Sequence, residues 1–250
     1  MDAIRIVDTH MHLGTSRFSG VSTEEEDIIQ AMDRNGVTAS LVMPQPTLED
    51  IAAVHARIAE MADRRKGRIF GMASLDPWLE EEAYYRQAEV CFRKYGFVAI
   101  KLHPLGHNVS PLSPQCDKVY ETARAYDVPV LVHTGLGAPN ALPSLVIDPA
   151  RRYPDVRFIL CHAGFAVYTD EAIVAAKYCD NIHLEPSWCQ TYAVKKMVRT
   201  LGADRVLFGS DHLTNLPVEL VKFQSIGLSP EELEKILERN AVRLFKLSLQ

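Results

Sequence analysis

Residues 7–12 read VDTHMH. In a strand, alternate side chains share a face, so His10 and His12 point the same way. Two imidazoles converging from one strand suit a divalent metal of the zinc type. A lone His-x-His arises by chance. Here, however, single polar residues also close later strand-like runs: Lys101 and His103 in IKLHP, His133 in LVHTG, His162 in LCHAG and Asp211 in LFGSD. Glu185 and Ser187 fall in the run between the last two. Of the other histidines, His55, His107 and His212 lie in helix or loop patterns, and His183 sits early in its run as an interior histidine.

The elements that must carry these residues alternate from end to end. Strand-like runs cover 4–10, 37–43, 68–75, 97–103, 128–133, 156–162, 181–187 and 205–211. Their nearly continuous apolar character is that of strands buried on both faces of a parallel sheet. Helical patterns cover 23–35, 48–66, 78–95, 114–126, 144–152, 168–178, 189–200 and 215–223. A last helix starts at Ser229, with Pro230 at its first position and Glu232 completing a capping box. Eight strand–helix units predict a (β/α)8 TIM barrel with a C-terminal helix, one domain over 1–250. The open doubly wound sheet is the alternative, but no GxGxxG follows the first strand. In a barrel the active site lies at the C-terminal strand ends, where the polar residues fall.

Composition narrows the partners. Apolar residues make up 47%, charged residues 24%, and the net charge is −5. These values predict a small-molecule substrate rather than nucleic acid or an anionic membrane, and leave self-association open. No apolar run reaches the roughly 18 residues of a membrane-spanning helix. There is no signal-peptide pattern, and five scattered cysteines without a CxxC pair suit a reducing cytoplasm.

Together, VDTHMH, IKLHP, LVHTG, LCHAG and LFGSD resemble the amidohydrolase superfamily, in its amidohydrolase-related branch of small metal-dependent hydrolases and decarboxylases. The terminal NAVRLFKL resembles that family's last helix. The resemblance implies that His10, His12 and His133 bind the metal. Asp211 would touch the metal and take the proton from the attacking water. His162 would polarise the substrate or shuttle a proton in one-metal members, and bind a second ion in two-metal members. Lys101 is the ambiguous position: carboxylated, it would bridge two ions; uncarboxylated, it is a cation for a substrate anion. One ion is the simpler expectation, most readily zinc, with manganese, iron and cobalt also suited to such donors. His103 would contact substrate or take part in catalysis.

Loops after the strands supply candidate pocket walls. Phe165, Tyr168, Trp188 and Tyr192 offer an aromatic wall, or rim packing against neighbouring helices. Arg17 offers a partner for a substrate carboxylate, or is a solvated loop arginine. The expected activity is hydrolysis of an amide, lactone or ester-like bond by metal-activated water with Asp211 as general base. The alternative is non-oxidative decarboxylation of an aromatic or unsaturated acid.

Overall fold

In the computed structural model, which describes residues 4–250, β1 (Val7–Thr15) turns back into β2 (Ser22–Thr23), paired antiparallel through Gly14 and Thr23. The later strands are β3 (Ala39–Pro44), β4 (Ile69–Ala73), β5 (Ala99–Leu102), β6 (Val130–His133), β7 (Phe158–Cys161) and β8 (Ile182–Glu185). They follow β1 in chain order around the sheet, every pair parallel. The helices are α1 (Glu25–Asn35), α2 (Ile51–Arg64), α3 (Glu81–Glu89), α4 (Pro104–His107), α5 (Asp117–Tyr126), α6 (Ile147–Arg152), α7 (Thr169–Tyr178), α8 (Thr191–Leu201), α9 (Leu216–Ser225), α10 (Pro230–Glu234) and α11 (Asn240–Phe245). A π-helical turn at Val90–Lys94 continues α3, and another at Lys235–Arg239 joins α10 to α11. The capping box at Ser229 and Glu232 is present.

The eighth strand differs from the expectation over 205–211. Only Val206 bridges its neighbour, at Leu184. The segment nevertheless closes the barrel as a TIM fold. Leu207 N–H donates to the Leu184 carbonyl (2.9 Å), Thr9 N–H to that of Phe208 (3.1 Å) and Asp211 N–H to that of His10 (2.7 Å). Regular pairing fails because the backbone donors go elsewhere. Phe208 N–H donates to Ile236 (3.1 Å), and Ser210 N–H to the Asp8 carboxylate (3.0 Å). Gly209 lies so close to Glu185 that a Cβ there would sit 2.7 Å from its Cδ.

The first strand also departs from its expected span. It begins at Val7 rather than residue 4 and runs on to Thr15, so both histidines lie within it. Its register against β3 slips between Asp8 and Met11, three steps on β1 matching two on β3. This bulge inverts the in–out alternation. Val7 packs into the inner core with Leu41, Ala99, Leu131 and Ile159, whereas Met11 and Leu13 pack outward among the helices. His10 and His12 are thereby turned inward. Beneath them the barrel is plugged by Ala241, Leu244, Phe245 and Leu247 from the C-terminal segment. No helix among the described residues is long and apolar enough to cross a membrane.

Candidate metal centre

His10 and His12 converge with their Nε2 atoms 3.1 Å apart, and Asp211 Oδ1 lies 3.1 and 3.2 Å from them. The partners of the far ring nitrogens fix the tautomers. His12 Nδ1 must donate to the Pro44 carbonyl (3.0 Å), and His10 Nδ1 bonds the buried Glu185 carboxylate (2.7 Å). Two imidazole lone pairs and a carboxylate oxygen therefore meet with no proton of their own between them. Such a set is repulsive unless a cation lies among its members, and it fits a divalent ion.

His162 belongs to the same group: His10, His162 and Asp211 each present a ligand atom within 4.8 Å of the others. Its Nδ1 contacts Ser187 Oγ (2.8 Å), whose hydroxyl donates to Glu185 (3.1 Å). His162 Nδ1 is then the donor, and Nε2 is open. Glu185 thus supports two of the histidines, while Ser187 N–H donates to its other oxygen (2.6 Å). Burial raises the Glu185 carboxyl to about 7, and the Ser187 N–H opposes the rise.

Burial opposes ionisation of Asp211, but the positive charge that His10, His162 and His12 would carry once protonated outweighs burial and holds the carboxyl well below its usual range. His10 and His162 are kept neutral, chiefly by burial. Asp211 Oδ2 accepts the Trp188 indole N–H (2.7 Å), which fixes the carboxylate's orientation. Trp188 is fixed in turn. Its backbone N–H donates to the buried Glu219 (2.8 Å), which also holds Asn215 (3.0 Å) and Lys222 (2.6 Å). Among the described residues, eight non-glycine residues have positive φ, and His162, Ala163, Phe165, Trp188 and Asp211 are five of them. The other three are helix C-caps, so strained backbone of this kind is otherwise concentrated at the site.

His133, the expected third ligand, borders the same group, its ring centroid 4.8 Å from that of His162. Its Nε2 donates to the Leu136 carbonyl (2.8 Å), and its ring stacks on His103 with centroids 4.1 Å apart. His103 Nδ1 accepts the Gly106 N–H (3.0 Å) and caps α4, which leaves its proton on Nε2. Lys101 is buried, with Nζ 3.1 Å from His10 Nε2 and 3.3 Å from Cys161 Sγ. Cys161 gave no signal in the sequence beyond its place before His162. Burial pushes its thiol up to about 12, so it stays protonated at neutral pH. Asp8 likewise gave no signal. A carboxylate in an apolar strand needs partners, and Asp8 binds Ser210 through both its N–H (3.0 Å) and hydroxyl (2.5 Å), tying β1 to the segment that delivers Asp211.

A cavity of about 340 Å³ opens beside the centre, lined by Lys101, His103, Arg17, Ser74 and Asp76. Arg17 is exposed, reaching the Gly106 carbonyl only at 3.5 Å. Phe165 and Trp188 stack with centroids 6.5 Å apart, and Phe165 also meets the His162 ring at 5.9 Å. Tyr192 is largely exposed. Outside the centre, His55 Nε2 accepts the Ser74 N–H (2.9 Å) as a structural histidine.

The sequence profile of the amidohydrolase family matches residues 7–247. No match is found among curated proteins. Several solved structures share the fold. The 5-carboxyvanillate decarboxylase of Sphingomonas paucimobilis is 12% identical, with a TM-score of 0.79 over 98% of this chain and 100% of that one. A TIM-barrel protein of Bordetella bronchiseptica is 18% identical, with a TM-score of 0.80 over 97% and 98%. The dihydroxybenzoic acid decarboxylase of Polaromonas sp. JS666, with bound manganese and 2-nitroresorcinol, is 18% identical, with a TM-score of 0.75 over 98% and 97%.

Proposed function

Because the chain belongs to the amidohydrolase family, we propose that it is a metal-dependent hydrolase of an amide, lactone or ester-like bond in a small molecule. The observation that carries this reading is the fixed carboxylate of Asp211, with Oδ2 held by Trp188 and Oδ1 beside the Nε2 atoms of His10 and His12. His10, His12, His133 and Asp211 would hold one divalent ion, zinc by donor type, with manganese, iron or cobalt compatible. When bound, such an ion supplies Lewis-acid chemistry and lowers the pKa of coordinated water from about 15.7 to about 7.

Asp211 takes the proton of the attacking water, its low pKa keeping it ionised at neutral pH. His162 Nε2 is free to accept a proton and return it to the leaving group. Lys101 Nζ–H faces charge developing on the carbonyl oxygen. Aromatic groups of the substrate would lie against Phe165 and Trp188. The free buried thiols suit a reducing, cytoplasmic setting.

Decarboxylation of an aromatic acid is the second reading. It is favoured by the cavity that holds Lys101 and Arg17 together, since both can pair a carboxylate. Two structures that share the fold are decarboxylases of aromatic acids.

The test is elemental analysis of protein purified without added metal, followed by assays on esters, lactones, amides and aromatic acids. The expected result is about one ion per chain and hydrolysis that falls about two to four orders of magnitude in Asp211→Asn, with most metal retained. Release of CO2 from an aromatic acid, without hydrolysis, replaces this reading with the second. Two ions and dependence on bicarbonate would make Lys101 a carbamate bridge. Normal turnover in metal-loaded Asp211→Asn would remove Asp211 as the base.

A further inference from the structure

A second and larger cavity, about 820 Å³, lies at the opposite end of the barrel. It is bounded by the residues that lead into β7, β8 and the closing segment, and its walls include Arg151, Arg157, Arg205, Arg243 and His183. Reaction chemistry in such barrels sits at the C-terminal strand ends, whereas the N-terminal face serves stability. Four arginines around one cavity on that face need a separate account.

Part of their donor capacity is structural. Arg205 Nε donates to the Ile182 carbonyl (3.0 Å), and Nη2 to those of Ala176 and Cys179 (both 2.9 Å). Arg157 Nη2 binds the Asp127 carboxylate (2.9 Å), and Arg243 Nη2 the Asp204 carbonyl (3.2 Å). Donors remain over. Arg157 Nε is buried without a partner among the described residues. So is His183 Nδ1, on a residue only 5% exposed. Arg151 and Arg243 form no ion pair among the described residues. Three carboxylates also line the cavity: Asp155 is exposed, Asp204 is engaged by Lys235 (3.1 Å), and Asp180 is fully exposed, 3.6 Å from Arg205. Burial, then Arg205, Arg243 and Arg157, push the His183 imidazole down to about 3, so three guanidinium groups surround a neutral ring.

We propose that this cavity is an oxyanion site for a small molecule bearing a phosphate or carboxylate group, held by Arg157, Arg243 and Arg151 and by the Nδ1–H of His183. An oxyanion offers only acceptors, and the surplus on these walls is of donors. Guanidinium forks match both groups bidentately. The ligand would join the starts of β7 and β8 to α11, which plugs the barrel, and so stabilise the fold without entering the metal centre.

Calorimetric titration of the metal-loaded protein with inorganic phosphate, and separately with succinate, at constant ionic strength, tests the site. One saturable site per chain is expected, weakened at least tenfold in Arg151→Gln/Arg243→Gln, with metal content unchanged. Both residues are exposed, and the variant is expected to fold. Thermal melting of His183→Gln gives a second readout: the ligand's stabilising shift should shrink. Saturation by phosphate alone assigns a phosphate-bearing ligand, and by succinate alone a carboxylate. Undiminished binding in the double variant would place the anion at the metal centre and overturn the proposal. So would the absence of binding, or a shift that chloride reproduces.

Discussion

The two ends of this barrel bury polar side chains for opposite purposes. At the mouth, supporting residues hold the reactive groups from behind and leave their working atoms open. Glu185 and Pro44 occupy the Nδ1 atoms of His10 and His12, and Trp188 occupies one oxygen of Asp211. At the base, Arg205 spends Nε and Nη2 on the carbonyls of Ile182, Ala176 and Cys179, clamping the turn between α7 and β8. The mouth thus concentrates lone pairs around one point, while the base has more donors than acceptors. Removing a mouth residue should therefore abolish binding with little loss of stability. Removing Arg205 from the base should cost stability and leave metal binding intact.

The largest effect should follow from His10→Ala/His12→Ala, which removes two of the convergent lone pairs. Bound metal and activity should both disappear, while the thermal transition of the metal-free protein stays cooperative. Full metal occupancy by elemental analysis would show that the ligand set lies elsewhere. Arg205→Leu probes the base. Loss of bonds from a charged donor to several carbonyls should cost about 2–4 kcal/mol by urea unfolding, with the metal-to-chain ratio unchanged. A variant as stable as the parent would end the contrast.

The smallest effect is a slope. His55 and His183 are held neutral by burial, at about 4 and about 3, below the ordinary histidine value of about 6.5. Each folded pKa is depressed, so the stability it contributes is present above pH 6.5 and is lost as pH falls toward 4 and 3. Each buried histidine should add about 1.4 kcal/mol per pH unit to that fall. His55→Gln should reduce the slope by about one proton, read from urea midpoints at several pH values. An unchanged slope would mean that His55 does not titrate on unfolding.

Much of the architecture was legible because strands buried on both faces must be apolar throughout, whereas their ends need not be. Seven of the eight expected runs overlap the regular parallel strands. The run 205–211 has the same apolar start, but Ser210 binds Asp8 and Gly209 packs against Glu185, contacts made by residues distant in the chain. The small β2 and α4 carry too few residues for periodicity to show them.

The centre divides in the same way. From its amino-acid types alone the sequence determined that imidazoles and a carboxylate would gather at strand ends, because alternation in a strand and the polarity of a barrel are local and general rules. It could not determine which atoms stay open. The far nitrogen of His10 is set by Glu185, and His133 is drawn to a carbonyl three residues on. Nor could it determine the direction of the two histidines. Unbroken alternation from the inward Val7 would have turned His10 and His12 outward. The slip between Asp8 and Met11 reverses them, and a register slip exists only once β1 lies against β3.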